Sequence, residues 1–303
     1  MKFANIDTAI TVIIPATTMD KLLMAPSISP ISMAFVVPNA CDAVPIAKPF
    51  AMGFVIITPD DRAIIIDGGT YTEAHNVKAH VGEREVAAWI LTHTDGDHVG
   101  CLKSMIDQND PFLDRVSCFY SNFHTVEFFR SLNGETHAQW VETYDAYIKE
   151  NNKGYICPVK GDSFEIDGLR FDILFSKNEA YVKNYANDAS LVFRVTGKKR
   201  NVLFLGDMGP YAGEELLADY GDYLKSDIVQ MAHHGHVGVR KDVYEAIDPN
   251  VCIWCAASWL WQEHEGVRYL NGEHSVSVTR QWMAEIGNQR HIVTKDGDAV
   301  IDI

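Results

Sequence analysis

The chain has 303 residues, 47% hydrophobic and 22% charged, an ordinary globular composition that fits one large domain or two small ones. Its formal net charge of -15, from 41 acidic and 26 basic residues, argues against tight binding along a nucleic-acid backbone, which needs Lys and Arg to displace counterions. A small anionic substrate stays open, because a bound cation supplies local positive charge.

No apolar run reaches the roughly eighteen residues of a membrane span, so none is expected. Lys2, Asp7 and the short apolar stretch from Ala9 to Ile14 make a weak signal peptide, and a cytoplasmic location is the default expectation. Cys41, Cys101, Cys118, Cys157, Cys252 and Cys255 suggest no disulfide framework. Cys252 and Cys255 form a C-x-x-C inside the apolar run Val251 to Ala256, which favours buried structural thiols over a redox or zinc pair.

Seven of the eleven prolines fall in residues 1–60, so short edge strands and turns are expected there, with Met33 to Val37 as one strand. Gly53 to Thr58 and Arg62 to Ile66 read as a β-hairpin around Pro59-Asp60-Asp61, ending at Asp67-Gly68-Gly69. Residues 72–90 look helical, and Val99 onward reads as another helix. The aromatics of 122–153 recur at helical spacing, with Asn133-Gly134 between two helices. That pair, a helical insertion over 120–155, packs on the core or forms a lid.

Strands dominate after 160: Ser163 to Ile166, Leu169 to Phe175, Ser190 to Thr196 and Asn201 to Leu205, with a hairpin turn at Gly197 to Arg200. Helix is expected over Gly213 to Leu224, strand over Asp227 to Ala232, helix over Lys241 to Ile247 and strand over 251–256. A helix near 276–286 and strands at 291–294 and 298–302 close the chain. Two successive halves of strands and helices suggest two sheets packed face to face with helices outside. The chain is taken as a single domain over 1–303, with a Pro-rich segment at 1–50.

The chemistry concentrates in Thr92-His93-Thr94-Asp95-Gly96-Asp97-His98. Four potential metal ligands, His93, Asp95, Asp97 and His98, fall within six residues, after an apolar stretch at 87–91 that ends a buried helix or strand. Imidazole with carboxylate suits Zn, Mn or Fe. Further donors stand at strand ends: Asp207 after Leu205-Gly206, His233 and His234 before Gly235, and Asn187-Asp188 before Ser190. No G-x-S-x-G nucleophile elbow is present.

Asp67-Gly68-Gly69, the heptad, Asn187-Asp188-Ala189-Ser190, Gly206-Asp207 and His233-His234-Gly235, in this order, resemble the metallo-β-lactamase superfamily. The H-x-D-x-D-H variant is similar to the ComEC C-terminal-domain-like and phosphorylcholine-esterase-like subgroup. The match runs from about 53 to 303 and includes Glu273-His274-Ser275-Val276 and Thr294-Lys295-Asp296-Gly297.

This resemblance implies an α+β fold, an αββα four-layer sandwich of two mixed β-sheets flanked by helices, with a dinuclear metal site at one edge. It puts His93 and Asp95 on one metal, and Asp97, His98 and one histidine of the 233–234 pair, His234 for preference, on the other. Asp207 bridges both. One family histidine is missing, and Asn187 or Asp188 stands where it would be. Asp67 resembles the carboxylate that braces the heptad loop.

The implied cofactors are two divalent ions, Zn or Mn, the carboxylates shifting preference toward Mn. Two such ions, about 3.5–4 Å apart, would generate hydroxide at neutral pH. Asp97 could orient that hydroxide, and His274 or His236 could contact substrate or protonate the leaving group. The expected activity is that of a phosphodiesterase on a small-molecule phosphoester. A carbon ester, thioester or lactone hydrolase, or a non-catalytic metal-binding module, is the alternative, and nucleic acid is a disfavoured partner. Trp259-Leu260-Trp261 and the 122–153 helices are expected to line or cover the site, or to belong to the core.

Overall fold

The computed structural model describes residues 51–262, 275–287, 289–296 and 299–303, together with the backbone of 9–11 and 33–35. Two mixed sheets organise it. In the first, β1 (Ala9–Thr11) and β2 (Met33–Phe35) each run antiparallel to β3 (Gly53–Ile57), which pairs with β4 (Ala63–Asp67) as the expected hairpin. Parallel strands β5 (Val86–Ile90), β6 (Cys118–Tyr120) and β7 (Gly154–Ile156) follow.

The second sheet repeats the plan. β8 (Ser163–Ile166), β9 (Leu169–Phe175), β10 (Val192–Thr196) and β11 (Asn201–Phe204) form an antiparallel meander, and β12 (Ile228–Gln230), β13 (Val251–Trp254) and β14 (Arg290–Val293) continue it in parallel. The closing strand β15 (Val300–Asp302) returns to the first sheet beside β1.

Side chains alternate across each strand, which sorts them into layers. Phe54, Ile56, Ile64 and Ile66 of the first sheet meet Phe171, Phe193, Phe204 and Ile253 of the second in one buried cluster. Phe54 and Phe204 touch edge to face across it, with ring centroids 5.0 Å apart. Val55, Ile65 and Trp89 point the other way, onto helices α1 (Ala74–Val81), α2 (Gly96–Asp107) and α4 (Glu135–Glu150), the last preceded by α3 (Val126–Ser131). Leu203, Val229 and Trp254 likewise pack on α5 (Pro210–Tyr220), α6 (Lys241–Ile247), α7 (Ser258–Trp261) and α8 (Val276–Ile286). The layers are therefore helix, sheet, sheet, helix. Among the described residues no helix is long and apolar enough to cross a membrane.

Several expectations need correction. Residues 72–90 are not one helix: α1 stops at Val81, and Val86–Ile90 is strand β5, buried on both faces. Such a strand has no polar face and so no alternation to betray it. Strands β6 and β7 were not expected at all. The helix expected over Gly213 to Leu224 starts earlier, at Pro210, and tightens to a 3-10 turn over Gly221–Leu224. The reading of Cys252 and Cys255 as buried thiols needs no correction: they lie in different apolar layers, on opposite faces of the chain, and form no common site.

Candidate metal centre

Strand β5 delivers the heptad. The chain leaves Ile90, and α2 begins after Asp95, which occupies the N-cap position but whose side chain makes no capping hydrogen bond. Asp97 and His98 lie in the first turn of α2, where the positive end of the helix favours a carboxylate. Asp67, at the end of parallel neighbour β4, fixes the loop. Its Oδ1 accepts from Thr92 N at 2.8 Å, and its Oδ2 accepts from Thr92 Oγ1 at 2.8 Å and from His98 Nδ1 at 2.7 Å. Asp67 itself holds a left-handed φ of 54°, a conformation uncommon outside glycine that is kept where surroundings over-determine it.

The second sheet supplies the rest. Asp207 follows β11. His233 and His234 follow β12 with φ of 50° and 57°, two successive left-handed residues. Gly235 continues with φ of 89°, and a Cβ there would come within 2.5 Å of the Trp254 ring, so only glycine lets this turn lie against β13. His234 Nδ1 donates to Cys255 O at 2.9 Å, which leaves Nε2 facing Asp97 Oδ2 at 3.1 Å and Asp207 Oδ2 at 3.3 Å. His98 Nε2 is 3.2 Å from Asp207 Oδ1.

Asp97, His98, Asp207 and His234 thus bring four ligand atoms within 4.8 Å of one another. Beside them, His93 Nε2 lies 3.6 Å from Asp95 Oδ2 and 3.9 Å from Asp207 Oδ2. Asp207 is therefore common to both groups. His93 Nε2, His98 Nε2 and Asp207 Oδ1 are buried without a hydrogen-bond partner. Buried polar atoms are rarely left so, and imidazole nitrogens converging with carboxylate oxygens are what a divalent cation requires. The donor set fits one.

The charges are mutually adjusted. Burial would raise the Asp207 pKa, but His98, His234 and His233 around it hold it well below the usual carboxylate range. Burial would lower that of His98, but Asp207 and Asp67 raise it. Burial also works against the imidazolium of His234, yet Asp207 and Asp97 bring its pKa up to about 9.

The remaining expected residues are placed as follows. Asp188 is buried, with Oδ1 accepting from Gly209 N at 2.8 Å, while Asn187 Oδ1 is buried without a partner. His236 Nδ1 donates to His233 O at 2.7 Å. His274 lies outside the described residues. Trp259 and Trp261 pack against the second outer core, and Trp261 meets Trp254 edge to face at 5.3 Å. In the 122–153 segment, Trp140 and Tyr144 are buried in the first outer core.

One residue near the centre escaped the sequence reading, and another was named there only as the less favoured of a pair. His137 of α4 brings Nδ1 to 2.9 Å from Thr94 Oγ1 and 3.7 Å from Asp95 Oδ1. His233, set aside in favour of its neighbour, brings Nε2 to 3.7 Å from Asp207 Oδ2. The doubled histidine was a visible signal for the second; nothing in the sequence marked the first.

The four layers and the strand order are those of the metallo-β-lactamase fold. The family model described as the Metallo-beta-lactamase superfamily matches residues 54–111, from β3 through the heptad and α2. Among solved structures, the metallo-β-lactamase fold protein YhfI from Bacillus subtilis aligns with a TM-score of 0.54 at 13% identity, over 90% of this chain and all (100%) of that one. Unliganded yeast PDE1 aligns at 0.53 and 10% identity, over 90% of this chain and 100% of that one. CmlA, a diiron β-hydroxylase from Streptomyces venezuelae, aligns at 0.53 and 9% identity, over 90% of this chain and 54% of that one. At such identities the likeness concerns the fold. No curated protein matches the chain by sequence.

Proposed function

We propose that this chain is a metal-dependent phosphodiesterase with a dinuclear centre. The observation that carries the reading is the donor set: three carboxylates, Asp95, Asp97 and Asp207, converge with His93, His98 and His234 around one shared oxygen-bearing residue. That balance suits Zn or the harder Mn. His93 and Asp95 would hold one ion, Asp97, His98 and His234 the other, with Asp207 between. His233 Nε2 and Asn187 Oδ1 are the donors we assign to the place of the missing family histidine, with Asp188 engaged in bracing the loop after Asp207. Such a set is in keeping with the ComEC-like and phosphorylcholine-esterase-like resemblance.

When bound, the two ions would supply Lewis acidity and a water acidic enough to ionise near pH 7. The chain's own part is to place charge. Asp97 faces the centre from a helix N-terminus and can orient a nucleophile. Asp67 and the Cys255 carbonyl fix the rings of His98 and His234, so that both Nε2 atoms point inward.

The test is turnover of bis(p-nitrophenyl) phosphate with added Mn²⁺ or Zn²⁺, with Asp207→Ala beside the wild type. The variant should lose more than the ~10–100-fold that removal of a mere outer-shell partner costs. Full activity in the variant would refute the site. A wild type inert toward phosphodiesters but active on lactones or thioesters would move the reading to carbon-centred esters.

A further inference from the structure

We infer that His137, brought in by α4, is a positioning residue for the His93/Asp95 metal; the inference rests on the dinuclear reading above. The two oxygens of Asp95 face two different histidines. Oδ2 lies 3.6 Å from His93 Nε2, on the side of the centre, and Oδ1 lies 3.7 Å from His137 Nδ1, on the side of the helical insertion. A carboxylate that offers one oxygen to a cation needs a donor near the other to fix which oxygen that is.

The three histidine donors already have such braces. His98 has Asp67, His234 has the Cys255 carbonyl, and His93 Nδ1 lies 3.1 Å from Thr92 Oγ1. Asp95 does not cap α2 with its side chain and is 28% exposed there. What meets it from outside is His137, whose Nδ1 is itself held by Thr94 Oγ1 at 2.9 Å.

The His137 ring is held for this task. It lies nearly flat on Phe129, 5.2 Å between centroids at 24°, and edge-on to Tyr185 at 5.7 Å and 88°. Both contacts would suit an aromatic filler equally, so the decisive variant keeps the ring and removes the nitrogen. One and two turns further along the same helix, Trp140, Val141 and Tyr144 are ordinary core. Helix α4 therefore ties the Asp95 arm to the first outer core.

The experiment titrates metal-free full-length protein with Mn²⁺, then with Zn²⁺, by calorimetry. Wild type is expected to take up two ions. His137→Phe should bind one of them ~10–100-fold more weakly, with the other unchanged. His137→Asn, whose amide nitrogen reaches the position of Nδ1, should recover most of that loss. The melting temperature of metal-free His137→Phe should match wild type, which separates the effect from folding. The inference is overturned if His137→Phe titrates like wild type, or if it weakens both sites equally. A wild type that binds fewer than two ions overturns the inference and the dinuclear reading together. Two ions without phosphodiester turnover would sink only the assigned activity, and the titration would still decide the role of His137.

Discussion

Asp67 Oδ2 lies 2.7 Å from His98 Nδ1, and this bond sets which ring nitrogen of His98 faces the centre. With Nδ1 committed to Asp67, Nε2 is the atom turned toward Asp207. Asp67→Ala should weaken metal binding ~10–100-fold, the usual cost of losing an outer partner of a ligand. It should also destabilise the metal-free protein by about 1–3 kcal/mol, because the buried Thr92 N–H loses its acceptor. Metal titration and urea unfolding measure the two effects separately, and unchanged affinity would show that His98 is oriented by packing alone.

The turn bearing His233 and His234 depends on Gly235. Gly235→Ala meets a left-handed φ and a Cβ position 2.5 Å from the Trp254 ring, which together should cost roughly 2–4 kcal/mol. Gly221→Ala is the control: its φ is also positive, at 45°, but nothing lies within 4 Å of the added Cβ. With ψ of −125° it lies outside the left-handed helical well, so it should cost about 1–3 kcal/mol of backbone strain alone. Equal urea midpoints for the two variants would mean that the turn yields to the ring.

His124 should make the protein acid-sensitive. Its ring is buried between Phe128 and Phe129 with neither nitrogen hydrogen-bonded, and burial, with help from Lys177, lowers its pKa to about 4. The folded pKa lies below the unfolded one of about 6.5, so the stability it contributes is present above that value and is lost as pH falls toward 4. Unfolding free energies of wild type and His124→Phe, compared at pH 7.5 and pH 5, should diverge by about 2 kcal/mol, with the variant the less pH-dependent. Parallel curves would refute this.

Cysteine labelling tests the reading of the C-x-x-C pair. Cys157 is exposed, whereas Cys101, Cys252 and Cys255 are buried and burial raises their pKa values, that of Cys252 to about 12. The thiolate is the reactive form. Iodoacetamide should therefore modify Cys157 in the native state and spare these three until denaturant is added, as peptide mass mapping would show. Native labelling of Cys252 or Cys255 would contradict their place in the core.

The centre was more legible than the scaffold that presents it. Four donors in six residues after an apolar run mark His93 to His98 by density alone, and Asp207 and His234 are visible because each closes an apolar strand. Strand β5 is not separable from helix in the sequence, because a strand buried on both faces reads as a continuous apolar run. Strands β6 and β7 have only three residues each, too few to show a period. His137 could not be found at all: it stands 43 positions from Thr94, and only the packing of α4 brings the two together.

The donors divide between the sheets. His93, Asp95, Asp97 and His98 follow β5 of the first, while Asp207, His233 and His234 follow β11 and β12 of the second. A cation held here would cross-link two halves of the polypeptide that otherwise meet through the buried apolar cluster and a few polar ties such as Arg62 to Asp167. Its binding energy would then be folding energy as well, growing as RT ln(1 + [L]/Kd). A chelator should accordingly act on this protein as a denaturant does, lowering the temperature at which the two sheets part before any substrate is present.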